Sequence, residues 1–267
     1  MGKRMLLENI ISGVQPQMPR IVSYGVDGAG KTTFGSKAPL PIFLGVEDGS
    51  AHLDVARFPQ PKTWEEVLDA IQALFQEEHN FKTLVLDSID WAERLAAESV
   101  CKEHGVKTLE DIPYGKWKGY LLSRFTDLLR ALDALHQARG MIILLIGHAE
   151  IRTFNDPENE PYDRYVMKCQ DKVSAMIREW CDINLFANFD TCTRVVGQGF
   201  NAKAKGVSYG KRFIYSQRRA AFDAKSRFPI PDRLPLEWDT FWNAYQAAVN
   251  PQEHATTTDS VTAQQGE

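Results

Sequence analysis

Gly25-Val26-Asp27-Gly28-Ala29-Gly30-Lys31-Thr32 fills every position of a G-x-x-x-x-G-K-S/T loop. The extended apolar run Ile21-Val22-Ser23-Tyr24 precedes it and helix-compatible residues follow. A glycine-rich turn between a strand and a helix lets backbone N–H groups close around a phosphate, at the positive end of the helix. Lys31 is placed to reach the β- and γ-phosphates of a nucleoside triphosphate, and the Thr32 hydroxyl to complete the shell of a Mg²⁺ ion. The expected nucleotide contacts are Gly25, Asp27, Gly28, Ala29, Gly30, Lys31, Thr32 and Thr33.

Four further positions carry groups suited to the same chemistry. Asp87 closes the apolar run Leu84-Val85-Leu86, where a carboxylate can hold Mg²⁺. Ser88 is a candidate helper there, and Asp90 reads as the N-cap of the next helix. No glutamate adjoins Asp87, so the carboxylate that activates water for hydrolysis is expected from Glu47, at the end of a second strand that, like the strand of Asp87, is expected beside the phosphate loop. Asp48 competes for that role, and a solvated turn acid is the plainer reading. His148, after Ile146-Gly147, is placed to hydrogen-bond the γ-phosphate; a structural histidine is the alternative. Lys225 and Arg227 stand two residues apart in an extended segment, so both can reach one phosphate. Such a pair either supplies transition-state charge to a neighbouring subunit or is a solvated basic loop.

The elements that must position these groups alternate between strand and helix. Strands are expected near 20–24, 41–46, 83–87, 141–146 and 183–187. Helices are expected from Lys31, and near 64–78, 90–104, 117–139, 168–179 and 237–248. The segment 64–78 sets Trp64, Val67, Leu68, Ile71, Leu74 and Phe75 on one face, the signature of an amphipathic helix. Strands separated by amphipathic helices imply an α/β fold with a mostly parallel sheet covered on both faces, and ligands at the carboxyl ends of its strands. Residues 149–170 read as a polar loop, 189–216 as a hairpin extension, and 250–267 as a disordered tail. This gives an N-terminal segment 1–17, one domain over 18–249, and the tail.

The chain has 267 residues and a net charge of −4. That total hides an asymmetry: between Lys203 and Arg233 nine Lys/Arg face only Asp223 and Asp232, so the segment is +7 and the remainder −11. An acidic body with one basic segment implies a localised polyanion contact rather than a coat of nucleic acid. The longest apolar run, Met141 to Ile146, has strand length, which excludes a spanning helix. The N-terminus lacks a long apolar region and a small-residue cleavage site, so no signal peptide is expected. Cys101, Cys169, Cys181 and Cys192 show no C-x-x-C spacing and read as reduced thiols of a cytoplasmic protein.

Taken together, Gly25–Thr32, Glu47, Leu84–Ser88, Gly147-His148 and Lys225-x-Arg227 resemble the RecA-like P-loop ATPases. Pro161-Tyr162-Asp163-Arg164-Tyr165 and Glu179-Trp180-Cys181-Asp182 are similar to the phage ATP-binding proteins related to RecA recombinases, a group proposed to anneal single strands. The resemblance implies a RecA-like core, Mg²⁺ and ATP as cofactors, and oligomers with ATP at the subunit interfaces. It also implies single-stranded DNA in a central channel or groove, with a single-strand-binding protein as a further partner in the host cytoplasm. Its catalytic set would be Lys31, Glu47, His148, Lys225 and Arg227, with Thr32 and Asp87 on the metal. His148 departs from the glutamine common at that position. The loop after it, where such proteins hold DNA, carries five acids against Arg152, Arg164 and Lys168. The implied function is a DNA-dependent ATPase of recombination, annealing or repair. The alternatives are a nucleotide-gated loader or packaging accessory, and a nucleotide kinase, which lacks its arginine-rich lid here.

Overall fold

The computed structural model describes residues 10–12, 17–47, 49–196 and 203–250, without the side chains of 192–196 and 203–209. Asp48 and the tail from 251 onward lie outside the described residues. Five strands form the parallel heart of the sheet, in the order β7-β1-β5-β4-β2. They are β1 (Arg20–Gly25), β2 (Pro41–Gly45), β4 (Thr83–Asp87), β5 (Ile142–Phe154) and β7 (Ile183–Val196). The short β3 (Ala56–Arg57) extends the β2 edge in parallel. At the other edge β8 (Lys203–Tyr215) and β10 (Arg233–Pro235) add antiparallel strands.

Each helix of the first half starts or stops for a local chemical reason. In α2 (Trp64–Gln76) the Thr63 side chain accepts from Glu66 N, and Trp64, Val67, Ile71 and Leu74 form the buried stripe. The helices α3 (Ile89–His104) and α4 (Trp117–Arg139) end at Gly105 and Gly140, with φ of 65° and 61°. That left-handed geometry costs glycine nothing sterically. These three helices and α5 (Asp171–Trp180) cover one face of the sheet. The other face is covered by α1 (Lys31–Ser36) and α6 (Trp238–Val249), through Phe34, Trp238, Phe241 and Tyr245. Strand β1 serves both layers, with Ile21 in one cluster and Val22 and Tyr24 in the other, as the two-residue period of a strand requires.

Three expectations need correction. Strand β5 does not stop at Ile146 but runs through His148 to Phe154. Residues 149–167 are a hairpin with β6 (Tyr162–Met167), in which Ala149 pairs with Met167 and Phe154 with Tyr162. The expected hairpin at 189–216 is the continuation of β7 into β8, so it grows out of the parallel sheet. Neither β2 nor β4 adjoins β1: β5 intervenes, and the phosphate loop's own neighbours are β5 and β7.

The base of β1 is tied down by charge. Arg20 grips Asp182 through Nε and Nη2, and Asp133 on α4 through Nη1, each at 3.0–3.1 Å. Burial would raise the Asp182 carboxyl, but hydrogen bonds from the Arg20 side chain and backbone outweigh it and hold it below the ordinary value. A depressed carboxyl stabilises the fold above the unfolded-state value of about 4 and ceases to do so as pH falls through the folded value. Asp182→Asn is therefore expected to destabilise the protein by about 2 kcal/mol at neutral pH. In denaturant titrations its deficit should shrink below about pH 4; a deficit independent of pH would refute this account.

Candidate nucleotide site

The strand register brings the predicted groups to one edge. Gly25 lies opposite His148 on β5 and Ala187 on β7, and Asp87 lies opposite Ile146 and Gly45. A Cβ on Gly25 would sit 2.0 Å from the Ala187 carbonyl oxygen, so no other residue fits where the loop leaves the strand. Gly28 and Gly30 take φ of 70° and 104°, which turns the chain back into α1. Lys31 is 5% exposed, and its Nζ donates to the carbonyls of Gly25 and Val26 at 3.0 and 2.9 Å. Burial lowers its pKa, against the pull of Asp27, Asp87, Asp90 and Glu47. Ala29 is buried, whereas Asp27 and Thr33 are exposed at the mouth of the loop.

Thr32 Oγ1 donates to Asp87 Oδ2 at 2.7 Å, while Asp87 Oδ1 is buried without a hydrogen-bond partner. Burial pushes the Asp87 carboxyl up to about 6, partly offset by the Thr32 bond. A hydroxyl and a buried carboxylate with an unused lone pair are a donor set that suits a hard divalent cation. Mg²⁺ therefore fits Thr32 and Asp87, and would supply charge neutralisation to the phosphates.

Glu47 follows β2, and its Oε2 accepts from Ser88 Oγ at 3.3 Å. Its Oε1 lies 3.8 Å from His148 Nε2, which is also 3.9 Å from Asp27 Oδ1. The expected N-cap role of Asp90 is not observed, because Ser88 occupies the cap position of α3. Asp90 is 5% exposed and accepts from both His148 N (3.2 Å) and His148 Nδ1 (3.0–3.1 Å). That double grip fixes the ring so that Nε2 faces Glu47. The bond to Asp90 is the largest cause of a raised His148 pKa, with burial opposing it.

Two of the predicted residues are not brought to this edge. Lys225 belongs to β9 (Lys225–Ser226), which pairs with Ile183 and Asn184 at the start of β7. That is about 10–13 Å along the strand from Ala187 beside the phosphate loop. Lys225 Nζ and Arg227 Nη2 both donate to Glu179 O, and Arg227 Nη1 pairs with Asp182 at 3.1 Å. A different cation, counted in the basic segment but given no role at the site, leans over the loop instead. Arg212 Nη1 lies 3.0 Å from where a Cβ on Gly30 would be. No spacing signal marks Arg212, since the long β7–β8 pairing brings it there.

Fold and site together define a P-loop ATPase: a phosphate loop, a buried carboxylate beside the loop threonine and a second carboxylate at the carboxyl edge of a mostly parallel sheet. The chain belongs to the AAA domain family, which matches residues 17–228. Among solved structures, the RadB recombinase is similar at 12% identity, covering 77% of this chain and 84% of that chain, with a TM-score of 0.40. No curated protein sequence matches. No helix among the described residues is long and apolar enough to cross a membrane.

Proposed function

We propose that this chain is a Mg²⁺-dependent, RecA-like ATPase that assembles into a ring or filament and works on single-stranded DNA in phage recombination, strand annealing or repair. The observation that carries the reading is the separation of the charge set. Around Lys31 stand Asp27, Asp87, Asp90 and Glu47, whereas Lys225 and Arg227 are held at the start of β7, away from the phosphate loop. Besides Lys31, Arg212 and a Mg²⁺ ion at Thr32 and Asp87, a triphosphate among so many carboxylates calls for further positive charge in the transition state. A second subunit presenting its Lys225–Arg227 end supplies that charge.

Glu47 acts as the base that orients and deprotonates water, Lys31 and the loop hold the phosphates, and His148 senses the γ-phosphate. Turnover measured with and without oligo(dT), alongside solution mass, tests the whole reading. Stimulation by the oligonucleotide in an assembled state is expected. Monomeric phosphate transfer to a nucleotide would instead mark a kinase, and slow turnover indifferent to DNA would mark a loader.

The Asp90–His148 contact makes its own prediction. Asp90→Asn is expected to slow turnover about tenfold with ATP affinity unchanged, since a misoriented ring fails only once the γ-phosphate reacts. On a His148→Gln background the same change should cost nothing more. Equal costs in both backgrounds would show that Asp90 acts on the fold and not through His148.

A further inference from the structure

Asp223, between β8 and β9, is surrounded by more positive charge than it can neutralise. Its Oδ1 accepts from Arg164 Nη2 at 2.7 Å and lies 3.6 Å from Arg218 Nε, and its Oδ2 accepts from Arg178. One carboxylate thus faces three guanidiniums from β6, α5 and its own segment. Arg164 is 4% exposed, its Nε has no hydrogen-bond partner, and its guanidinium stacks 5.1 Å over Phe154. Arg178 and Arg218 are 36% and 64% exposed and line an open cleft of about 320 Å³ with Arg152, Tyr24 and Ser174. Arg152 is already engaged by Glu150 and Asp171, so the unneutralised charge sits around Asp223.

We infer that this cleft is a second anion site, separate from the triphosphate loop, that binds a backbone phosphate of single-stranded nucleic acid. Guanidinium forks match phosphate oxygens in pairs, and Arg178 and Arg218 hold donors beyond those that one carboxylate can use. The polymer class follows from what lies beside the charge. Phe154 and Tyr162 meet edge-to-face at 5.6 Å at the end of the β5–β6 hairpin, and arginines interleaved with aromatic faces suit unpaired bases. Arg218 also belongs to the basic segment, which carries +7 in a chain whose remainder carries −11. Arg164 itself is a buried strut beneath the cleft. The cleft is also tied to the strand that leads into the phosphate loop: Tyr24 OH donates to Asp223 O at 2.6 Å and accepts from Asp223 N at 3.1 Å, one residue before Gly25.

The inference rests on the proposed function, and one experiment separates their failures. Binding of fluorescently labelled oligo(dT) is measured across a salt series for the wild type, Arg218→Ala and Arg178→Ala/Arg218→Ala, with Arg130→Ala on α4 as a control. The double variant is expected to lose tenfold or more in affinity, and its slope of log affinity against log salt to fall by about 0.7, the value for one phosphate contact on a single strand. The single variant, whose side chain is the more exposed, should lose about half of that slope and keep the wild-type melting temperature. A wild type without affinity for oligo(dT) would overturn the function itself. Variants that bind like the wild type would overturn the cleft alone, and so would displacement of oligo(dT) by inorganic phosphate at millimolar concentration, which would mark a free-anion site.

Discussion

Glu47→Gln should bind ATP about as tightly as the wild type, within about threefold, yet hydrolyse it some 10²–10⁴ times more slowly. The reasoning is geometric. Glu47 Oε2 accepts from Ser88, and Oε1 faces His148 Nε2, so the carboxylate is held near Asp87 without being drawn into the hydrogen bond that Asp87 accepts from Thr32. Glutamine keeps that shape and removes the lone pair that would take the proton. Lys31 and the loop, which hold the phosphates, are untouched. Rapid-quench turnover beside equilibrium binding of a fluorescent ATP analogue checks both halves. A matching loss in binding would make Glu47 a nucleotide ligand, and unaltered turnover would transfer the base role to another carboxylate.

Arg227→Ala is expected to reduce turnover by about 10³ or more while ATP binding survives, because an arginine contributed across an interface stabilises charge only in the transition state. The paired arm is more informative. Lys31→Ala removes the phosphate lysine but leaves the Lys225–Arg227 end intact. Neither variant works alone. In a one-to-one mixture about a quarter of the interfaces join a sound phosphate loop to a sound Arg227, so about a quarter of wild-type turnover should return. Mixtures that co-assemble without regaining activity would confine Arg227 to its observed contacts with Asp182 and Glu179. Because Arg227 also braces Asp182, the melting temperature of Arg227→Ala should be followed in parallel.

Local chemistry made much of this structure legible in the sequence. The 3.6-residue spacing from Trp64 to Leu74 gave α2, Gly140 ended α4 where expected, and Gly25–Thr32 announced both the loop and its ligand. What escaped was non-local. The alternating Glu150-Ile151-Arg152-Thr153-Phe154 reads as a loop because the hairpin exposes it, and only pairing with β6 makes it a strand. Asp90 looked like a cap because nothing local tells that a carboxylate in the first turn of α3 will meet the backbone N–H and the ring of His148. Arg212 and Asp223 gained their neighbours through strand pairing and chain return, which no spacing rule encodes.

Strand β7 touches three places that otherwise seem unrelated. Its first residues pair with β9, which carries Lys225. Ala187 packs against Gly25 closely enough to forbid a side chain, and accepts a hydrogen bond from Val26 N at 3.2 Å. Its far end runs on into the paired strand β8. Fourteen residues of extended chain make a strut of about 45 Å. Because the Ala187 carbonyl of this strut seats directly against Gly25, the segment from Asn184 to Ala187 leaves little slack between β9 and the loop. In an assembly, force arriving at one subunit's cationic end would reach that same subunit's phosphate loop, linking successive sites mechanically in series.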